Sequence, residues 1–210
     1  ELPAPLVARI DRWRALAPLA TRTPLDEARW VVVDTETTGL NVRKDRLLAI
    51  GACAVHGRRL WVGDGFGVTL RQQEASSREN ILVHGIGPSA QAGGELPDEA
   101  MMAFFEYASV APRVAFHAGF DRLMIERAAR ESLGVRPAQP WLDLALLAPA
   151  LVPEARLANR PLDDWPKLLG DVVVPVRFEA SDFSAAITTN GPAAAVTVTA
   201  RASVVWNGTP

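Results

Sequence analysis

Asp34 and Glu36 stand two residues apart in the run Val31-Val32-Val33-Asp34-Thr35-Glu36-Thr37-Thr38-Gly39-Leu40. Residues 30–33 are apolar and mostly β-branched, which suits a central strand covered on both faces. On a strand, residues i and i+2 share a face, so the two carboxylates project together from its end while Thr35 turns the other way. Carboxylates so placed repel and desolvate each other unless a cation lies between them. A lone pair of this kind also reads as a solvated strand end, but a buried approach followed by a sharp Thr-Thr-Gly exit is a usual place for a site. A third carboxylate, Asp121, closes the stretch Val114-Ala115-Phe116-His117-Ala118-Gly119-Phe120-Asp121 and precedes the helical run RLMIERAAR. Alone it would serve as a helix N-cap. Beside Asp34 and Glu36 on a neighbouring strand end, it completes an oxygen-rich set suited to Mg²⁺ or Mn²⁺.

The elements that must position these groups are legible from periodicity. Residues 47–56 (LLAIGACAVH) predict a second strand, Gly57-Arg58-Arg59 a turn, and residues 60–70 one or two further strands, giving a meander with the first. The pattern predicts a helix over 98–109, a short strand over 114–117 and an amphipathic helix from Asp121 to Ser132, stopped by Gly134. Helical pieces are expected over 141–149 and 161–169, separated by Asn159-Arg160-Pro161. Ahead of all this, Leu6, Ile10, Trp13, Leu16 and Leu19 mark an amphipathic helix within residues 5–19, and Thr23-Pro24 reads as a second helix start. The order β-β-β-α-β-α indicates an α/β fold, a mixed sheet with helices on both faces.

The chain has 210 residues, 49% hydrophobic and 22% charged, enough for a full core without disulfide or metal staples. A formal charge of −2 excludes a broadly basic surface, so any nucleic acid must be held locally. The single cysteine, Cys53, sits in an apolar run and reads as a core residue of a reducing compartment. No apolar run reaches membrane-spanning length and residues 1–20 lack a signal-peptide pattern, so no membrane partner and a cytoplasmic location are expected. The chain begins with Glu1 and not Met, which leaves the native start open. Composition changes near Asp171: residues 1–170 contain 23 leucines and residues 171–210 none. The expected organisation is a helical extension over 1–27, a catalytic domain over 28–170 and an atypical tail over 171–210. Two readings of the tail stand: a β-hairpin around Asn190-Gly191, or the product of an altered reading frame.

VVVDTETTGL and VAFHAGFD resemble the first and second motifs of the DEDD 3′→5′ exonucleases, a family that includes the proofreading epsilon subunit of bacterial DNA polymerase III. The resemblance covers residues 28–170. It implies an RNase H-like five-stranded mixed sheet flanked by helices. It further implies hydrolysis of a terminal phosphodiester with two Mg²⁺ or Mn²⁺ ions, releasing nucleoside 5′-monophosphates from a single-stranded nucleic-acid 3′ end. A polymerase or another replication or repair protein is the implied partner. Carried over by position, Asp34, Glu36 and Asp121 bind the metals, and Thr37, Leu40 and Phe120 lie against the last nucleotide. In ILVHGIG (81–87), His84 resembles a residue packed beside that nucleotide, and Trp141-Leu142-Asp143 matches a structural W-x-D element. The second motif departs from the family at Phe116-His117, where His-Asn is usual. That departure puts the polar substrate contact at His117 in question and leaves the metal site untouched.

In the family, a third motif supplies a histidine as general base and, five residues later, the fourth metal carboxylate. Here the only histidines are His56, His84 and His117, and the sole tyrosine is Tyr107. Arg177 and Asp182 have the motif's spacing, which makes Asp182 either the fourth ligand or a coincidence. Two functions therefore remain: a 3′→5′ exonuclease, or a catalytically impaired nuclease-fold module that binds nucleic-acid ends or a protein partner.

Overall fold

A computed structural model describes residues 2–19, 23–24, 27–57, 59–165, 186–188 and 197–199. Three strands form the expected meander: β1 (Trp30–Thr37), β2 (Leu47–His56) and β3 (Arg59–Thr69), each antiparallel to the next. β4 (Arg113–Ala115) joins β1 in parallel, and β5 (Trp141–Asp143) joins β4 in parallel. The five-stranded mixed sheet has the order β3-β2-β1-β4-β5, which places the acidic strand at its centre. Residues 47–52 of β2 are buried without a break, as a strand covered on both faces requires.

Helices α1 (Ala4–Arg14), α4 (Pro97–Ala108) and α5 (Gly119–Leu133) supply most of the main core. Val31 and Val33 of β1 meet Met101, Phe104 and Phe105 of α4 and Met124 and Ile125 of α5 in one buried cluster. α1 adds Leu6, Ile10 and Trp13, with Trp13 stacked on Phe105 at 4.8 Å. Arg9 secures the same helix by bonding Glu99 and Glu106 of α4. The proximal end of β1 is tied by Arg29, which takes both carboxylate oxygens of Asp64 at 2.8 and 2.9 Å and the Tyr107 carbonyl at 3.1 Å.

Several expectations change. α1 stops at Arg14 rather than reaching residue 19; Ala15 caps it and Leu16 bonds back to Trp13, as suits a chain approaching Pro18. Residues 141–149 are not one helix. Trp141–Asp143 is strand β5, because β4 offers a parallel edge for it, and α6 (Leu144–Leu151) starts only after Asp143. Of the helix expected over 161–169, the described part holds a single 3₁₀ turn at Leu162–Asp164. The short strand ends at Ala115, and His117 takes φ 57° in the turn that follows. Two helices were not anticipated, α2 (Arg78–His84) and α3 (Pro88–Ala92). In the tail, β6 (Ala186–Thr188) pairs antiparallel with β7 (Thr197–Thr199), setting Ile187 opposite Val198. The Asn190-Gly191 turn expected between them lies outside the described residues. Among the described residues, no helix is long and apolar enough to cross a membrane.

Candidate active site

The acidic end of β1 follows directly from its alternation. Val31 and Val33 are buried and Asp34 is exposed. Asp34 lies opposite Gly51 and Glu36 opposite Ala49 of β2, so neither carboxylate meets a large side chain across the strand pair. A register shift between Glu36 and Thr37 then ends the regular ladder. Thr35, on the other side of the strand, has a role that spacing alone did not reveal: its hydroxyl donates to Asp121 Oδ1 at 2.7 Å. Asp121 is 5% exposed and sits in the first turn of α5, whose N-cap is Ala118. It is therefore not the cap, and its carboxylate points toward β1.

The three carboxylates act on one another. Burial raises the Asp34 carboxyl above its ordinary range although the group is open to solvent, and the Thr35 backbone bond opposes the rise. Glu36 is pushed up to about 7, first by burial and then by the negative charges of Asp34 and Asp121. Asp121 is raised to about 6 by burial and by Asp34, against the lowering effect of the Thr35 hydroxyl. Each group thus holds a proton more readily than an isolated carboxyl does, the electrostatic condition that a cation would relieve. Hard oxygen donors of this kind suit Mg²⁺ or Mn²⁺. Among the described residues, no three His, Cys, Asp or Glu side chains are gathered as closely as ligands around one ion. The donor chemistry fits a divalent metal, with Asp121 drawn aside onto Thr35.

The other candidates take distinct places. Thr37 donates to the Gly39 carbonyl at 2.8 Å, tightening the turn out of β1. Leu40, 86% exposed, is carried by the loop that follows. Phe120 is half-buried against the edge of the core. His117 is exposed; its backbone N–H donates to Asp143 Oδ1 at 3.0 Å, and its ring meets Phe116 edge-on. Asp143 also caps α6 by accepting from Ala145, so the W-x-D element holds the second-motif turn. His84 ends α2 with both ring nitrogens engaged: Ile86 N–H donates to Nδ1 at 3.0 Å, and Nε2 lies 3.1 Å from Ser76 Oγ. Gln91, fully buried, bonds Ser76 and the Ile86 carbonyl and completes that network. Burial lowers the His84 pKa, in keeping with a neutral ring that accepts at Nδ1. Asp182 lies outside the described residues.

A model of the exonuclease family of the RNase T type matches residues 31–168, the span that contains the sheet and all three carboxylates. The chain belongs to the DEDD exonuclease family. Among curated relatives, an epsilon-like protein of DNA polymerase III from Rhodobacter capsulatus is 35% identical over 129 residues, covering 60% of this chain and 18% of that protein. The DNA polymerase III epsilon subunit of Pasteurella multocida is 30% identical over 105 residues, 47% of this chain and 41% of that protein. The PolC-type DNA polymerase III of Thermotoga maritima is 25% identical over 152 residues, 72% of this chain but 11% of that protein. The chain thus spans less than half the length of these relatives. Apo exonuclease I superposes with a TM-score of 0.54 at 13% identity, over 64% of this chain and 33% of that one. This likeness confirms the α/β exonuclease fold.

Proposed function

We propose that the chain is a metal-dependent 3′→5′ exonuclease that hydrolyses the terminal phosphodiester of single-stranded DNA or RNA and releases nucleoside 5′-monophosphates. The observation that carries this reading is the placing of Asp34 and Glu36 together at the end of β1, with Asp121 bonded to Thr35 of the same strand, immediately before the exposed Leu40. In this reading Asp34, Glu36, Asp121 and Asp182 hold two Mg²⁺ or Mn²⁺ ions. Such ions, when bound, acidify water and neutralise phosphate charge. Asp34 is the solvent-open member of the set, Glu36 extends it along the strand, and Thr35 keeps Asp121 ionised and oriented. Thr37, Leu40, His117 and Phe120 lie against the terminal nucleotide. His84, with both nitrogens engaged, offers it a ring face and no hydrogen bond. Support for a single-stranded substrate comes from exonuclease I of E. coli, a fold relative seen with a dA16 oligonucleotide. The epsilon-like relatives support a polymerase partner. Residues 28–170 form the exonuclease domain, 1–27 an N-terminal extension whose helix α1 packs into the same core, and 171–210 a tail that contains Asp182.

The test is a single-stranded oligonucleotide labelled at its 5′ end and incubated with Mg²⁺ or Mn²⁺. A ladder shortening from the 3′ end, lost in Asp34→Ala and Glu36→Ala, is the expected result. Intact substrate at millimolar metal would overturn the reading. One observation favours the second reading, a binding module of low turnover: no histidine of this chain follows His117. Metal-dependent retention of the oligonucleotide without cleavage would identify that case.

A further inference from the structure

The loop of residues 38–46, which carries Leu40, is closed on itself. Thr38 N–H donates to the Arg46 carbonyl at 3.0 Å, and Arg46 N–H returns to Thr38 Oγ1 at 2.9 Å. Asp45 accepts from Thr38 Oγ1 at 3.2 Å and from Asn41 N–H at 2.7 Å. A Cβ on Gly39 would stand 2.6 Å from Asp45 Oδ2, so only glycine lets the carboxylate come this close. From α2, Asn80 Nδ2 donates to the Thr38 carbonyl. From α5, Arg127 donates through Nη1 to the Val42 carbonyl and through Nη2 to the Asp45 carbonyl.

Leu40 has almost no neighbours, so its position depends entirely on the backbone beneath it. Arg127 ties that backbone to the helix that bears Asp121, and the loop itself departs from the strand that bears Asp34 and Glu36. Asn80 and Arg46 also anchor the loop, but Arg127 alone among them ties it to the helix that bears Asp121. We propose that Arg127 is a substrate-positioning residue, which sets Leu40 against the terminal nucleotide by holding the 38–46 loop on α5. This rests on the nuclease reading above. A guanidinium suits the task because its planar fork reaches two carbonyls at once, whereas a lysine ammonium on a flexible stem holds only one of them well. The Arg127 side chain is 17% exposed and has Glu131 at 3.6 Å one turn on, which keeps its charge partly balanced while it spans the gap.

The test compares Arg127→Met and Arg127→Lys with the unaltered chain. Arg43 and Lys44 are exposed in the loop, so trypsin reports its anchoring directly. Cleavage there should accelerate about tenfold in Arg127→Met and less in Arg127→Lys, as expected on losing charge-assisted bonds from a surface loop. With a single-stranded oligonucleotide, KM should rise roughly five- to twentyfold while kcat stays within about twofold. The p-nitrophenyl ester of thymidine 5′-monophosphate keeps the terminal nucleotide and replaces only its neighbour by the leaving group, so it should show a similar rise in KM. In a Leu40→Ala background, Arg127→Met should add less than about twofold, because both changes remove one contact. An unchanged tryptic rate, an additive double variant or a fall in kcat with KM unchanged would overturn the proposal. An unaltered chain that turns over neither substrate would sink the nuclease reading, and Leu40's role with it. Normal turnover beside an unaffected Arg127→Met would sink Arg127 alone.

Discussion

The Thr35 hydroxyl donates to Asp121 Oδ1 at 2.7 Å, joining the middle residue of the acidic strand to the first turn of α5. The bond stabilises the ionised form of a carboxylate that is 5% exposed and already raised to about 6. Thr35→Val keeps the shape and removes the donor, so the Asp121 pKa should rise further. The variant should lose about 1–3 kcal/mol of stability at pH 8, where Asp121 is ionised, and less at pH 5. Urea melts at the two pH values measure this. Thr35→Ser should recover most of the loss, and equal costs at both pH values would argue against the charge-assisted bond.

Glu36 is penalised as an ion first by burial and then by the charges of Asp34 and Asp121. Its folded pKa of about 7 lies above the ordinary 4.5, so between those values the folded chain holds the proton more tightly than the unfolded chain. Stability should therefore fall as pH rises through that window. Glu36→Gln removes the titration. Without divalent ions the variant should be more stable than the unaltered chain at pH 8, by about 1 kcal/mol once partial solvation is allowed for, and equal to it near pH 4. Thermal melts in chelator across pH 4–8 decide this.

Divalent ions should reverse that penalty. Mg²⁺ or Mn²⁺ at millimolar concentration should raise Tm at pH 7.5, because an ion that binds only the folded state stabilises it by mass action. Asp34→Ala and Glu36→Ala should abolish the gain. A Tm indifferent to metal in the unaltered chain would count against the site.

Turnover is expected to be slow, since a positioned general base contributes on the order of 10²–10⁴ in rate and, where Asp182 is aligned with the family's fourth carboxylate, Arg177 takes the histidine's place. Arg177 stays protonated and cannot take a proton from water. If Asp182 is the fourth ligand, Arg177→His should raise the rate with a pH dependence near the imidazole pKa, and Asp182→Ala should remove what remains. A rate unmoved by both substitutions would assign the tail no part in catalysis.

The acidic pair was readable from local pattern. Val31 to Glu36 alternate on a strand, and backbone geometry alone places Asp34 and Glu36 on one face. The β1–β2–β3 meander was equally legible, because each strand pairs with its sequence neighbour across a short turn. α4 and α5 were legible from apolar periodicity. What depended on partners distant in sequence was not. Trp141–Asp143 lies in an apolar run that suits a helix, and it becomes a strand only because β4 presents a free parallel edge. Asp121 carries the sequence signs of a cap, and its orientation comes from Thr35, 86 residues earlier. His84 finds one partner, Ile86 N–H, inside its own motif, but Ser76 and buried Gln91, outside it, supply the rest of its setting. Arg127 is one arginine of an amphipathic helix until the fold brings it against the carbonyls of a loop some 80 residues upstream. Strand and helix periods are local steric properties, so the sequence by itself determined which carboxylates could act together. Hydrogen bonds between remote side chains depend on how the layers pack, and only the tertiary structure decided how those carboxylates are held.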